Sequence, residues 1–274
     1  MILHGINGSS EQFTQFVADL EEAHPGTLAI ALPLFNDLKS IVSLGVQVPE
    51  IAAKIISLTS SDPAYADGYH LVCHSQGALI CRCLTSYMDT HNVDTLVSMA
   101  GPQLGVYDDA FFSFFERPIL QELTLEDIYK VAYTDVAQKT VSVANMWSDP
   151  YHRSEHLSSN DFLPLFNNEV TPNESYKNNF LSLRKAVFTV GSQAGGETYD
   201  GGIGPWQSAV FSYYNETGAF VDMKEQEVYK SDTFGLKTMD ERGDLTTLVV
   251  EGVEHQEWVN NKGVYTKYIF PWLV

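Results

Sequence analysis

The chain has 274 residues, 44% of them hydrophobic, enough to bury the core of one large α/β domain or two small ones. Its 35 acidic against 16 basic side chains leave a net charge of −19. A surface that negative repels phosphate backbones and anionic membranes, so nucleic acid is excluded as a partner, and no apolar run reaches the roughly 18 residues of a membrane span. "MILHGING" begins inside a strand, with no basic, apolar, cleavable leader before it. The expectation is that a leader and part of the first strand lie upstream of Met1. The spacing predicts a helix over 9–23, with Phe13, Phe16, Val17 and Leu20 on one face. An apolar strand over 27–34 follows, then a helix over 48–58, a buried strand over 69–74, a helix over 77–88 and a strand over 93–100. Strands alternating with helices mean a mostly parallel sheet flanked by helices.

The rhythm breaks at "GPQLG" (101–105), after which the sequence is irregular and aromatic to about residue 183. We read 102–184 as a mainly helical cap inserted in a single domain of residues 1–274. The α/β pattern returns with strands over 185–192 and 245–252 and a closing helix near 260–272. Three cysteines, Cys73, Cys81 and Cys83, crowd one segment. An odd, clustered set is no disulfide framework, no CxxC spacing suggests zinc, and the set points to a reducing compartment. Three sequons, at Asn7, Asn173 and Asn215, point the other way. No residue cluster with ligand spacing suggests a metal or cofactor.

"LVCHSQGALICRC" (71–83) raises the chemical question. A strand, then x-S-x-G, then a helix is the nucleophile elbow of α/β-hydrolases, with Ser75 lifted out of the sheet. Gly77 fits the motif and Cys73 replaces its first glycine. The competing reading is a loop serine capping the next helix. A nucleophilic serine needs a base, an acid to orient it and an oxyanion hole, in the chain order Ser, Asp or Glu, His. Of 8 histidines, His255 alone follows a late strand. Glu197 and Asp200 both lie on the loop after the strand at 185, and both stay open as the acid. The N–H groups of Gln76 and Ile6 are the candidate oxyanion donors, with Gly5 allowing close backbone approach.

At this point the residues resemble a known family, the palmitoyl-protein thioesterases, and most of all its type 2, lysosomal branch. "HGINGSS", "LVCHSQGALICRCL", "HNVDTLVSMAGPQLGVY", "NMWSDPYH", "NESYKNNFLSL", "DGGIGPWQSAVFSYYNET", "FGLKTMDERG" and "EGVEHQEW" carry the resemblance over nearly the whole chain. It implies an α/β-hydrolase fold, Ser75 as nucleophile, His255 as base, and Asp200 as acid, six residues before the Trp of "DGGIGPW". It implies hydrolysis of long-chain fatty acyl thioesters without a cofactor, and a glycosylated protein, lysosomal or secreted. Asn173 and Asn215 fall in matching segments, whereas a glycan on Asn7 would crowd the oxyanion loop. Candidate walls of an acyl groove are Phe111, Phe112, Phe114, Phe115, Trp147, Phe162, Phe166, Trp206 and Gln207, against the plainer reading that these side chains pack the cap onto the sheet. The rival functions are a lipase or carboxylesterase acting on oxygen esters, and a non-catalytic relic that holds a lipid.

Overall fold

The structure, a computed structural model, describes residues 1–108, 124–193 and 198–274. Five parallel strands form one sheet in the order β1-β2-β3-β4-β7: β1 (Ile2–Leu3), β2 (Tyr69–His74), β3 (Val93–Met99), β4 (Lys185–Ser192) and β7 (Leu245–Glu251). A small antiparallel hairpin of β5 (Tyr213–Tyr214) and β6 (Phe220–Val221) stands apart from it. Strands β2 to β4 are near-continuous apolar runs because helices cover both faces of a parallel sheet. In β7 only Leu245 is buried and the remaining residues alternate half-buried with exposed, as at a sheet edge.

The strands fall where the spacing predicts them, with one exception. Residues 27–34 form extended chain rather than a strand. Ile2 N–H donates to Ile30 O at 2.8 Å and Leu32 N–H to Ile2 O at 2.9 Å, and one bridge, Ile2 to Ala31, is all that results. The reason is the partner: β1 has 2 residues, too few to template a longer ladder. Helix α1 (Thr14–Ala23) follows a 3-10 turn at Ser10–Phe13, close to the expected span. Helix α2 (Leu44–Ser61) starts earlier than the sequence suggests. Ser43 is its N-cap, accepting from Gly45 N–H at 3.3 Å, and Pro49 lies inside the helix, where proline normally marks a first turn.

Helix α3 (Gln76–Tyr87) is buried over nearly its whole length. Arg82 anchors it. The guanidinium is fully buried and donates to Gln103 Oε1 (2.8 Å), Gln103 O (3.2 Å), Asn167 Oδ1 (2.9 Å) and Phe166 O (3.4 Å), while lying 4.9 Å over the Phe234 ring. A buried charge is tolerated when its donors are met, and here neutral oxygens take four of the five N–H groups while a ring faces the cation. Three of these partners, Gln103, Phe166 and Asn167, lie between β3 and β4, where the described residues hold short helices and no strand of the main sheet. That segment also touches the body at Val42–Val141, and a bridge from Val106 to Trp147 ties it internally.

Candidate active site

β2 ends at His74 and α3 begins at Gln76, so the whole turn is Ser75, held at φ 57° and ψ −130°. A non-glycine residue reaches that region only under constraint. Ser75 N–H donates to Met99 O at 2.9 Å, and Ser75 O accepts from Ala78 N–H at 2.9 Å. Although Ser75 occupies the N-cap position, its side chain caps no helix N–H. The turn is crowded by backbone. A Cβ on Gly77 would stand 2.2 Å from His4 O, and one on Gly5 2.6 Å from Ser75 Cβ. Glycine at both places lets the first loop, the turn and the helix meet.

The cysteine reading needs correction. Cys73 and Cys81 form a disulfide, with Cα atoms 6.4 Å apart, and Cys83 is the free, buried thiol. The strand–turn–helix path folds α3 back over the end of β2, which brings two residues 8 apart in sequence face to face. Disulfides persist in oxidising compartments, so the set does not argue for a reducing one. The bridge spans the Ser75 turn. Closing so short a loop is worth about 2 to 3 kcal/mol by chain entropy. The Cys73→Ala/Cys81→Ala double variant should therefore unfold at lower denaturant concentration by that much. Dithiothreitol should lower the wild-type midpoint and leave the variant's unchanged; an unmoved wild type would show that the bridge carries no stability.

The loop after β4 brings Asp200 to His255, on the loop after β7. Asp200 Oδ2 accepts from His255 Nδ1 at 2.9 Å. Its other oxygen accepts from the N–H groups of Gly202 (2.9 Å) and Ile203 (2.7 Å), and its carbonyl from His255 N–H (2.9 Å). Asp200 is fully buried and His255 nearly so. A carboxylate on Nδ1 assigns the proton there and leaves Nε2 as the acceptor. The glycine run of "DGGIG" has a packing reason, since a Cβ on Gly202 would lie 2.1 Å from the His255 ring. Glu197 lies outside the described residues. Behind His255 stands His74, its ring 4.7 Å away and its Nε2 donating to His255 O at 2.8 Å. Burial, with His255 adding to it, pushes the His74 pKa down to about 3, so this second imidazole is neutral. Ser75 Oγ makes no hydrogen bond among the described residues.

Both candidate oxyanion donors are unspent among the described residues: neither Ile6 N–H nor Gln76 N–H donates to a protein group there. Gly5 O, on the same peptide unit as Ile6 N–H, accepts from Gly8 N–H (3.2 Å) and faces His4 Nδ1 at 2.8 Å. All of these groups sit at the C-terminal ends of the parallel strands, where ligands bind in open α/β sheets. A cavity of about 470 Å³, lined in part by Tyr65, Tyr69, Asp94 and Arg184, opens at the opposite ends and has no part in the site.

Of the groove candidates, Phe111, Phe112, Phe114 and Phe115 lie outside the described residues. Trp147 is fully buried against Tyr107 (ring centroids 5.1 Å), and Phe162 and Phe166 pack on each other in the core (4.8 Å). Trp206 and Gln207 are half-buried on the 3-10 turn Trp206–Val210, which follows the Asp200 loop, and Gln207 Oε1 is buried without a partner among the described residues. Asn173 caps the helix Glu174–Leu181, accepting from Tyr176 N–H at 3.2 Å. Asn215 is exposed in the β5–β6 turn, its Oδ1 accepting from Thr217 and Ala219 N–H. Sequence reading missed the contact that His74 makes with His255. The histidine adjoining the serine was visible, but its contact with His255 spans 181 residues.

Comparison with known proteins places this geometry in a lineage. The palmitoyl protein thioesterase family matches residues 1–255. Lysosomal thioesterase PPT2-B of Xenopus laevis is 38% identical over 276 residues, covering 100% of this chain and 91% of the relative. Lysosomal thioesterase PPT2 of Homo sapiens is 35% identical over 275 residues, covering 100% and 87%. Among solved structures, the lipase BlEst2 of Bacillus licheniformis superposes with a TM-score of 0.52 at 16% identity, covering 100% of this chain and 90% of the lipase, and so shares the α/β-hydrolase fold. The chain belongs to the palmitoyl protein thioesterase family.

Proposed function

We propose that the chain hydrolyses long-chain fatty acyl thioesters, such as palmitoyl-coenzyme A or S-palmitoylated thiols, through an acyl-Ser75 intermediate. One observation carries the reading: a buried His255–Asp200 pair and two unspent N–H groups converge on the strand ends that hold Ser75. His255 Nε2 takes the Ser75 proton while Oγ attacks the thioester carbonyl. Asp200 keeps the imidazole in the required tautomer and stabilises its cation. The N–H groups of Ile6 and Gln76 receive the oxyanion, each such donor being worth about 3 kcal/mol. The C–S bond then breaks, the thiol leaves with the proton from His255, and Ser75 carries the acyl ester. Water attacks that ester with His255 again as base, and fatty acid departs.

Residues 102–184 serve in this reading as a cap over the site, with the phenylalanines at 111–115 and the Trp206 turn as acyl contacts. Relatives named lysosomal thioesterases and a bridged cysteine pair support an oxidising, lysosomal setting. Asn215 supports glycosylation best, being exposed with no hydrogen bond on Nδ2 among the described residues; Asn173 is the second acceptor. The test compares a palmitoyl thioester with a palmitoyl oxygen ester on purified protein. Faster thioester turnover is expected. A preference for the oxygen ester would make the chain a carboxylesterase, and no turnover of either by a correctly folded protein would favour the lipid-holding relic.

A further inference from the structure

Two oxyanion donors act together only if their separation is fixed, and these two belong to different parts of the chain. Ile6 sits in the loop after β1 and Gln76 at the start of α3, and among the described residues neither N–H is held by a bond of its own. One residue is bonded to both parts. Ser40 is buried in the 3-10 turn Asp37–Ile41, a segment with no place in the reading of the sequence. Its Oγ accepts from Asn7 N–H at 2.6 Å and donates to Asp37 O at 2.5 Å. Its carbonyl oxygen accepts from Gln76 Nε2 at 2.8 Å, and also from Gln47 Nε2 (2.8 Å) and Ser142 Oγ (3.3 Å). Gly8 O accepts from Asp37 N–H at 2.7 Å, so the turn clasps the first loop twice.

Each bond acts at a specific point. Asn7 N–H belongs to the peptide unit just after Ile6. Asn7 itself has φ 53°, a conformation that asparagine tolerates, and the Ser40 bond fixes the loop at that sharp bend. The preceding unit, which carries Ile6 N–H, is anchored through Gly5 O. A trans peptide points its N–H opposite its carbonyl, so that anchor sets the direction of Ile6 N–H and Ser40 sets the depth of the loop. On the other side the Gln76 side chain ties the first residue of α3 to the same Ser40. We infer that Ser40 is a positioning residue that sets the spacing between the Ile6 and Gln76 N–H groups and thereby the depth of the oxyanion hole. This rests on the proposed role of those two donors.

The test is Ser40→Ala, which removes Oγ and keeps the carbonyl, beside Ser40→Thr, which keeps a hydroxyl. A misplaced oxyanion donor acts on the transition state and spares ground-state binding. For palmitoyl-coenzyme A, kcat of Ser40→Ala should fall about 10- to 100-fold with KM within about twofold. A long-chain trifluoromethyl ketone, which forms a tetrahedral adduct on the serine, should bind more weakly by the same factor, and Ser40→Thr should restore both. The Asn7 amide should exchange faster with deuterium in Ser40→Ala than in wild type. If Ser40→Ala does not fold, Ser40→Cys takes its place with an intermediate loss expected. Unchanged kcat, or a loss of stability with unchanged ketone affinity, would overturn the inference. A folded wild type that neither turns over thioester nor binds the ketone would bring down the oxyanion reading itself, and this inference with it.

Discussion

Ser75→Ala should lower kcat for palmitoyl-coenzyme A by about 10⁵-fold or more, with KM nearly unchanged. His255→Ala should do the same, and the double variant should be no worse than either, because nucleophile and base act as one unit. Asp200 needs a subtler substitution. Its Oδ1 takes the N–H groups of Gly202 and Ile203, so alanine would orphan two donors, at about 1 to 3 kcal/mol each if they stay buried, and loosen the loop as well as the base. Asparagine keeps an oxygen for those N–H groups but presents an NH₂ to Nδ1, which selects the wrong tautomer. Asp200→Asn should therefore fold like wild type and lose about 10⁴-fold in kcat. Steady-state kinetics, normalised to the concentration of folded protein, check all three. A Ser75→Ala protein that keeps even a hundredth of wild-type activity would place the nucleophile elsewhere.

The legible part of this molecule was local. The run "YHLVCHSQG" declares a strand, a one-residue turn and a helix, because only a buried strand is so apolar and only glycine survives where Gly77 meets His4 O. The order of Ser75, Asp200 and His255 was legible because the fold threads them in that order. The choice of Asp200 over Glu197 needed the family resemblance, since composition treats the two alike. What stayed hidden depends on pairs far apart in sequence. Ser40 reaches Gln76 across 36 residues and His74 reaches His255 across 181, and no periodicity reports either. The disulfide was hidden differently. Its cysteines were in plain view, yet a separation of 8 bridges only when a tight turn reverses the chain, and that turn is the elbow itself. The strand expected at 27–34 failed on partner length, which a single-segment pattern cannot see.

Acid should weaken the fold through its buried histidines before it touches the carboxylates. Burial pushes His74 and His156 down to about 3 from an unfolded value near 6.5, so both are neutral in the folded protein. His156 also meets the Tyr133 hydroxyl at 3.2 Å; that hydroxyl accepts from Asp149 N–H and can donate to the histidine only while Nδ1 is unprotonated. A depressed folded pKa means that the unfolded chain binds more protons between pH 6.5 and 3. Stability is then full above pH 6.5 and falls as pH drops through that window, by about 1.4 kcal/mol per pH unit for each group. At pH 4.5 each histidine costs about 3 kcal/mol. Asp19 and Asp94, held below 3.8 by hydrogen bonds from Lys262 and Arg184, and Asp232, where burial pushes up but hydrogen bonds from Thr238 and Lys177 together outweigh it, keep their contribution until the pH falls further. His70 and His91 shift in the same direction as the buried pair, again by desolvation. The measurement is denaturant unfolding of wild type and His156→Gln at pH 7 and pH 4.5. Relief of surface self-repulsion as the −19 charge is titrated affects both proteins alike and cancels in the difference. The variant should gain about 3 kcal/mol on wild type between the two pH values. A difference that does not move with pH would show that His156 takes up its proton in the folded protein.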